Sequence, residues 1–138
     1  MRTSRISDCK LLDLLKSNAD FGDITVINNL ELIPFEIKRV YYLYDVPNRA
    51  DRGAHAHKEL YQLVVAVSGS FDIELFDGLD KIKYTLNQPD QGLLIVPGIW
   101  RYLNNFSGGG ICLVLASHEY QESDYIRNLE LFIKYKLD

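Results

Sequence analysis

A chain of 138 residues with 47% apolar and 25% charged side chains can bury about two thirds of its unfolded surface, which excludes a disordered or fibrous protein. A net charge of -4 and a pI near 5.3 exclude nucleic acid as the main partner, because duplex binding needs a positive field that releases counterions. The opening MRTSRISDCKLLDLLKS lacks an apolar signal-peptide core and a small-residue cleavage site, and no window nears the roughly 18 apolar residues of a membrane span, so a cytoplasmic chain outside the membrane is expected.

In chain order, Leu11–Lys16 fits one amphipathic helical turn or a strand equally, because its apolar run is short. From Ile24 onward, β-branched and aromatic runs recur about every ten residues, which predicts a sandwich or barrel. The runs are Ile24–Ile27, Glu36–Tyr44, Gln62–Ser68, Ser70–Phe76, Lys81–Leu86, Gly92–Val96, Arg101–Asn105 and Gly110–Ala116. Ser68-Gly69 and Asp77-Gly78 supply the positive φ of tight hairpins and make a meander of the strands around them. Pro97-Gly98 and Gly108-Gly109-Gly110 mark further turns. Ser123 before Asp124 reads as a helix N-cap, and Tyr125, Ile126, Leu129, Phe132 and Ile133 follow at helical spacing, so a short C-terminal helix is expected. No repeat or linker divides residues 1–138, which read as a single domain. Cys9 and Cys112 have apolar neighbours and no paired spacing, the signature of buried reduced thiols.

Chemistry concentrates in Arg52-Gly53-Ala54-His55-Ala56-His57-Lys58, read as an extended segment leading into the strand that starts near Gln62. Alternate residues of an extended segment share a face, so His55 and His57 project together. Paired imidazoles serve as metal ligands or as an acid/base pair. A metal needs further ligands from other strands. Metal-binding cupin barrels add a Glu four or five residues after the pair and a His on a later strand; here Gln62 holds the first position, while Arg101 and Tyr102 hold the second. His118 lies beyond the last predicted barrel strand. The donor set therefore favours acid/base use without a metal. Arg39 and Arg52 are cations within or beside apolar strand sequence, suited to forked contacts with phosphate oxygens. Lys38 reads as a solvated face. If Arg39 points inward, Tyr41 is its inward neighbour and the favoured pocket tyrosine, whereas Tyr42, Tyr44, Trp100 and Tyr102 read more readily as barrel wall.

Three segments together, Ile33-Pro34-Phe35-Glu36-Ile37-Lys38-Arg39-Val40-Tyr41-Tyr42, the RGxHAHK motif at residues 52–58, and Asp124-Tyr125-Ile126-Arg127, resemble the sugar 3,4-ketoisomerase family, whose members are often grouped with WxcM-like C-terminal domains. The resemblance spans about residues 8–135. It implies an all-β, cupin-type jelly-roll barrel acting on a dTDP-linked 4-keto-6-deoxyhexose in deoxysugar and polysaccharide biosynthesis. It also implies a homodimer with exchanged N-terminal strands, and neither metal nor cofactor. By the same resemblance His55 and His57 are the acid/base pair, Arg39 and Arg52 hold the phosphates, and Tyr41 sits near the sugar; Gln62 and Arg101 complete the expected substrate-binding set. Two departures stand out: Arg101 follows Trp100 where several relatives have histidine, and Phe21 precedes Gly22 where members often have arginine. Epimerisation at the same site, a silent sugar-nucleotide-binding module and a metal-dependent oxygenase are the rival readings.

Overall fold

The computed structural model describes residues 2–138, apart from the side chain of Ala19. The strands are β1 (Lys10–Asp13), β2 (Leu15–Ala19), β3 (Gly22–Val26), β4 (Arg39–Leu43), β5 (Arg52–His57) and β6 (Gln62–Ser68). They continue as β7 (Phe71–Phe76), β8 (Lys81–Leu86), β9 (Gln91–Ile95), β10 (Trp100–Asn104), β11 (Ile111–Ala116) and the short β12 (Tyr125–Ile126), before the helix α1 (Leu129–Leu137). Two five-stranded antiparallel sheets, ordered β1-β9-β6-β11-β4 and β12-β5-β10-β7-β8, face one another as a jelly roll, and β2-β3 stands apart as a hairpin.

The space between the sheets holds the main core, including Val64, Ile73, Leu75, Leu93, Ile95, Leu103 and Val114. Alternation along β6 sends Leu63 and Val65 to the opposite face, where Ile33 and Phe35 cover them. Burial on both faces explains why β6 reads as a continuous apolar run rather than an alternating one. On the outer face of the second sheet, Ala56, Trp100 and Ile126 are sealed by Phe132 of α1. Cys9 and Cys112 are buried and unbridged.

Five expectations shift. The meander expected around Ser68-Gly69 and Asp77-Gly78 is not formed: β7 and β8 pair as a hairpin, but β6 pairs with β9 and β11 in the opposite sheet, so the turn at Gly69 crosses between sheets. Leu11–Lys16 is strand, split between β1 and β2 at Leu14, whose N–H donates to Asp90 O at 2.9 Å. The Glu36–Tyr44 run contracts to Arg39–Leu43, because the Ile37 and Lys38 amides are taken by Asn29 Oδ1 and Ala116 O. Arg52–His57 does not run into β6; it is a separate strand of the opposite sheet, and residues 58–61 cross over to β6. The helix is capped by Asn128, whose side chain accepts from the Leu131 amide, and not by Ser123. Tyr125 and Ile126 instead pair with His57 and Ala56 of β5, which satisfies across a strand the backbone groups that a helix would have used internally.

Candidate active site

One end of the jelly roll opens into a cavity of about 430 Å³ between the sheets. Arg39 and Tyr41 reach it from β4, Arg52, Gly53 and His55 from β5, Gln62 from β6, and Arg101 from β10. The inward-facing register of Arg39 and Tyr41 is the expected one, with Val40 and Tyr42 exposed on the other face. Trp100 is buried, Tyr44 is exposed, and Tyr102 donates to Glu74 Oε2 at 2.8 Å outside the cavity. Lys38 is exposed beside Glu36.

Both histidines share a face of β5, and their Nε2 atoms lie 3.0 Å apart with the rings edge to face. Only His55 lines the cavity; His57 is completely buried behind it. The Nδ1 of His57 is 2.9 Å from Asp124 Oδ2, and the other oxygen of Asp124 accepts from the Glu59 amide at 2.8 Å. Tyr125 lies against both imidazoles, with ring centroids 5.1 Å from His55 and 4.4 Å from His57. Burial, then the positive field of Arg101, pushes His55 down to about 3, against the Gly53 backbone, which favours the protonated ring and pulls upward. His57 is pushed down by burial first and Arg101 second. At neutral pH both rings are therefore uncharged.

Gly53 has φ +71°, a left-handed conformation that side chains rarely adopt, so the position needs glycine; a Cβ there would also push on the end of the Leu103 side chain, 2.9 Å away.

Arg101 is opposite His55 in the β10–β5 register and is 2% exposed. Its guanidinium donates to Ile99 O and to Gln62 Oε1, and Gln62 Nε2 donates to the Tyr41 hydroxyl oxygen at 3.1 Å. Burial pushes Arg101 down to about 10, which leaves it cationic at neutral pH. Burial also pushes the Tyr41 hydroxyl up, so it stays protonated. Arg39 is sandwiched between the rings of Tyr41 and Tyr120, and its buried Nε and Nη2 have no hydrogen-bond partner. Arg52 is exposed at the mouth.

A metal does not fit this arrangement. Gln62 and Arg101 stand where metal-binding barrels of this type place ligands, and they are hydrogen-bonded to each other. Among the described residues, no three His, Cys, Asp or Glu side chains come together to hold an ion. His118 is exposed and bonded through Nδ1 to Ser117 Oγ, away from the cavity.

Sequence reasoning missed three residues of the site: Asp124, Tyr125 and Arg127. Arg127 stacks on Tyr125 at 4.1 Å and is held by Glu122 at 2.7 and 2.8 Å while lining the cavity. The signal was present in the Asp124-Tyr125-Ile126-Arg127 segment, but helical spacing drew Tyr125 and Ile126 into the helix and hid their proximity to β5.

Comparison with known proteins agrees with this geometry. The family model described as FdtA: WxcM-like, C-terminal matches residues 7–137. The chain is 40% identical over 126 residues to a TDP-4-oxo-6-deoxy-alpha-D-glucose-3,4-oxoisomerase of Aneurinibacillus thermoaerophilus, with 91% of each chain covered. Among solved structures it superposes on a 3,4-ketoisomerase from Helicobacter canadensis with a TM-score of 0.92 at 44% identity, covering 95% of this chain and 98% of that one. It also superposes on the sugar 3,4-ketoisomerase QdtA of Thermoanaerobacterium thermosaccharolyticum, solved in complex with TDP, with a TM-score of 0.93 at 37% identity, covering 96% and 97%. With its family model matched almost end to end and the histidine motif at the mouth of a jelly-roll cavity, the chain belongs to the FdtA family of WxcM-like, C-terminal proteins, cupin-fold relatives of the sugar 3,4-ketoisomerases.

Proposed function

We propose that this chain isomerises TDP-4-keto-6-deoxyglucose to the 3-keto sugar by acid/base catalysis with His55 and without a metal. The observation that carries this reading is a neutral imidazole, His55 backed by His57, facing a cavity lined by four arginines, Arg39, Arg52, Arg101 and Arg127, and by no carboxylate, in a protein of net charge -4. The two unpartnered N–H groups of Arg39 are a ready site for a phosphate oxygen. The substrate assignment follows the ketoisomerase and TDP-bound relatives.

The ketone at C4 acidifies the hydrogen on C3. Neutral His55 takes that proton and becomes an imidazolium, and the electron pair of the broken C3–H bond forms an enediolate with its charge on the C4 oxygen. The proton of the C3 hydroxyl moves to the C4 oxygen, and the imidazolium returns its proton to C4, which leaves the ketone at C3, a hydroxyl at C4 and His55 neutral again. Charge developing on oxygen is met by Arg101, already cationic and fixed by its bonds to Ile99 and Gln62. Tyr41 accepts from Gln62, which leaves its own hydroxyl hydrogen free to donate to a sugar oxygen. An epimerase needs an acid and a base on opposite faces of the ring, whereas the histidines here lie on one strand face.

Replacing His55 with Asn should lower turnover by about 10²–10⁴-fold, the usual worth of a positioned acid/base group, with TDP affinity nearly unchanged. A His55→Asn variant at wild-type rate would remove the central role of the pair.

The proposed working unit is one domain in a cytoplasmic homodimer. The hairpin β2-β3 bears exposed Leu15, Phe21, Ile24 and Val26, and the outer face of β4 and its extension bears Val40, Tyr42 and Tyr44. Apolar surface of that extent suits a second copy. Because β1 is bonded to β9 of its own chain, β2-β3 is the part available for exchange. Two unbridged thiols suit a reducing compartment, and among the described residues no helix is long and apolar enough to cross a membrane.

A further inference from the structure

We propose that Asp124 is a positioning residue which, acting through His57, sets the tautomer of both imidazoles and leaves Nδ1 of His55 as the basic atom. The mechanistic half of this inference rests on the ketoisomerase reading; the tautomer half stands without it. Asp124 lies on the side of His57 away from the cavity and does not line it. An ionised carboxylate only accepts hydrogen bonds, so the 2.9 Å contact requires a hydrogen on Nδ1 of His57. In a neutral imidazole the other nitrogen is then bare, so Nε2 of His57 is an acceptor. The 3.0 Å contact between the Nε2 atoms is satisfied only if His55 donates, which places the His55 hydrogen on Nε2 and the lone pair on Nδ1. That nitrogen lies on the side of Gly53, 4.0 Å from where a Cβ would stand, and Gly53 lines the cavity.

The carboxylate is itself tightly held. Asp124 Oδ1 accepts from the Glu59 amide, and the Asp124 carbonyl accepts from the Lys58 amide at 2.9 Å, so both ends of the residue are tied to the chain just after His57. When His55 takes the C3 proton on Nδ1, the C3–H bond breaks, its electron pair enters the enediolate, and the ring becomes an imidazolium with hydrogens on both nitrogens. The charge of Asp124 then balances that cation through the intervening ring, and the Gly53 backbone offers the new N–H a hydrogen bond.

The test is nitrogen NMR of the histidine side chains in the unliganded wild-type protein, followed by kinetics of Asp124→Asn. The expected spectrum shows His57 protonated at Nδ1 and His55 protonated at Nε2. Asn keeps an oxygen for the Glu59 amide but can present an N–H to His57. It should therefore shift the tautomers of both rings and lower kcat about 10²-fold or more, with KM and TDP affinity unchanged. A wild-type spectrum with His57 protonated at Nε2, or His55 protonated at Nδ1 alone, would overturn the proposal without touching the ketoisomerase reading. So would an Asp124→Asn protein that folds and keeps the wild-type kcat.

Discussion

Arg39 illustrates how much of the site one residue carries. Its Nε and Nη2 are buried without a partner, a costly arrangement unless an anion fills it. A charge-assisted bond is worth about 1.5–3 kcal/mol, so Arg39→Ala should weaken TDP binding roughly 10- to 100-fold by calorimetry. Arg52 is exposed, and its loss should cost less; equal affinities for wild type and Arg39→Ala would show that the orphaned guanidinium has another purpose. The buried histidines make a second residue-scale prediction. A folded-state value below the ordinary 6.5 means that the unfolded chain binds more protons as pH falls under 6.5. Stability should therefore be level above that pH and decline below it, down to about 3 for His55, by up to about 1.4 kcal/mol per pH unit per histidine. His55→Gln should flatten the decline of melting temperature between pH 6.5 and 4, and an unchanged slope would contradict the neutral burial of that ring. At this scale the sequence was informative: Arg39, Tyr41, Arg52, His55, Gln62 and Arg101 all line one cavity. What it could not convey was the difference between the two histidines, because alternation along a strand places both on one face without saying which stands in front.

Elements were less legible at their ends than in their middles. Gly69 and Gly78 both have the positive φ that their turn signals need, but only β7–β8 closes into a hairpin; the turn at Gly69 carries the chain from one sheet to the other. The C-terminal stretch misled because apolar residues at 125, 126, 129, 132 and 133 serve two purposes: Ile126 and Phe132 meet in one cluster, but from a strand and a helix. A period of 3.6 does not distinguish one helix from a strand-turn-helix that buries the same face. The hairpin β2-β3 has no hydrogen-bonded place in either sheet, and Phe21 at its tip is fully exposed. If it embraces a second copy, replacing Ile24 and Val26 with Asp should shift the protein from dimer to monomer in sedimentation equilibrium. A wild-type monomer at micromolar concentration would contradict the exchange.

For the whole molecule, the decisive contrast is between an acidic chain and a cavity furnished with arginines and no carboxylate. Net charge argued against nucleic acid from the first lines of the sequence, but only the assembled sheets bring four cations, from residues 39, 52, 101 and 127, to one mouth. The same assembly hydrogen-bonds Gln62 to Arg101, the residues that hold the two positions where the sequence lacks a metal donor. The central claim is thus a metal-free movement of a carbonyl along a nucleotide-linked sugar. It is tested most directly by proton and carbon NMR of TDP-4-keto-6-deoxyglucose incubated with chelator-treated protein of verified low metal content. The account predicts a TDP-3-keto-6-deoxyhexose whose C4 configuration is read from the same spectra. Recovery of unchanged substrate, of a 4-keto epimer, or of activity only after zinc, iron or manganese is restored would contradict it.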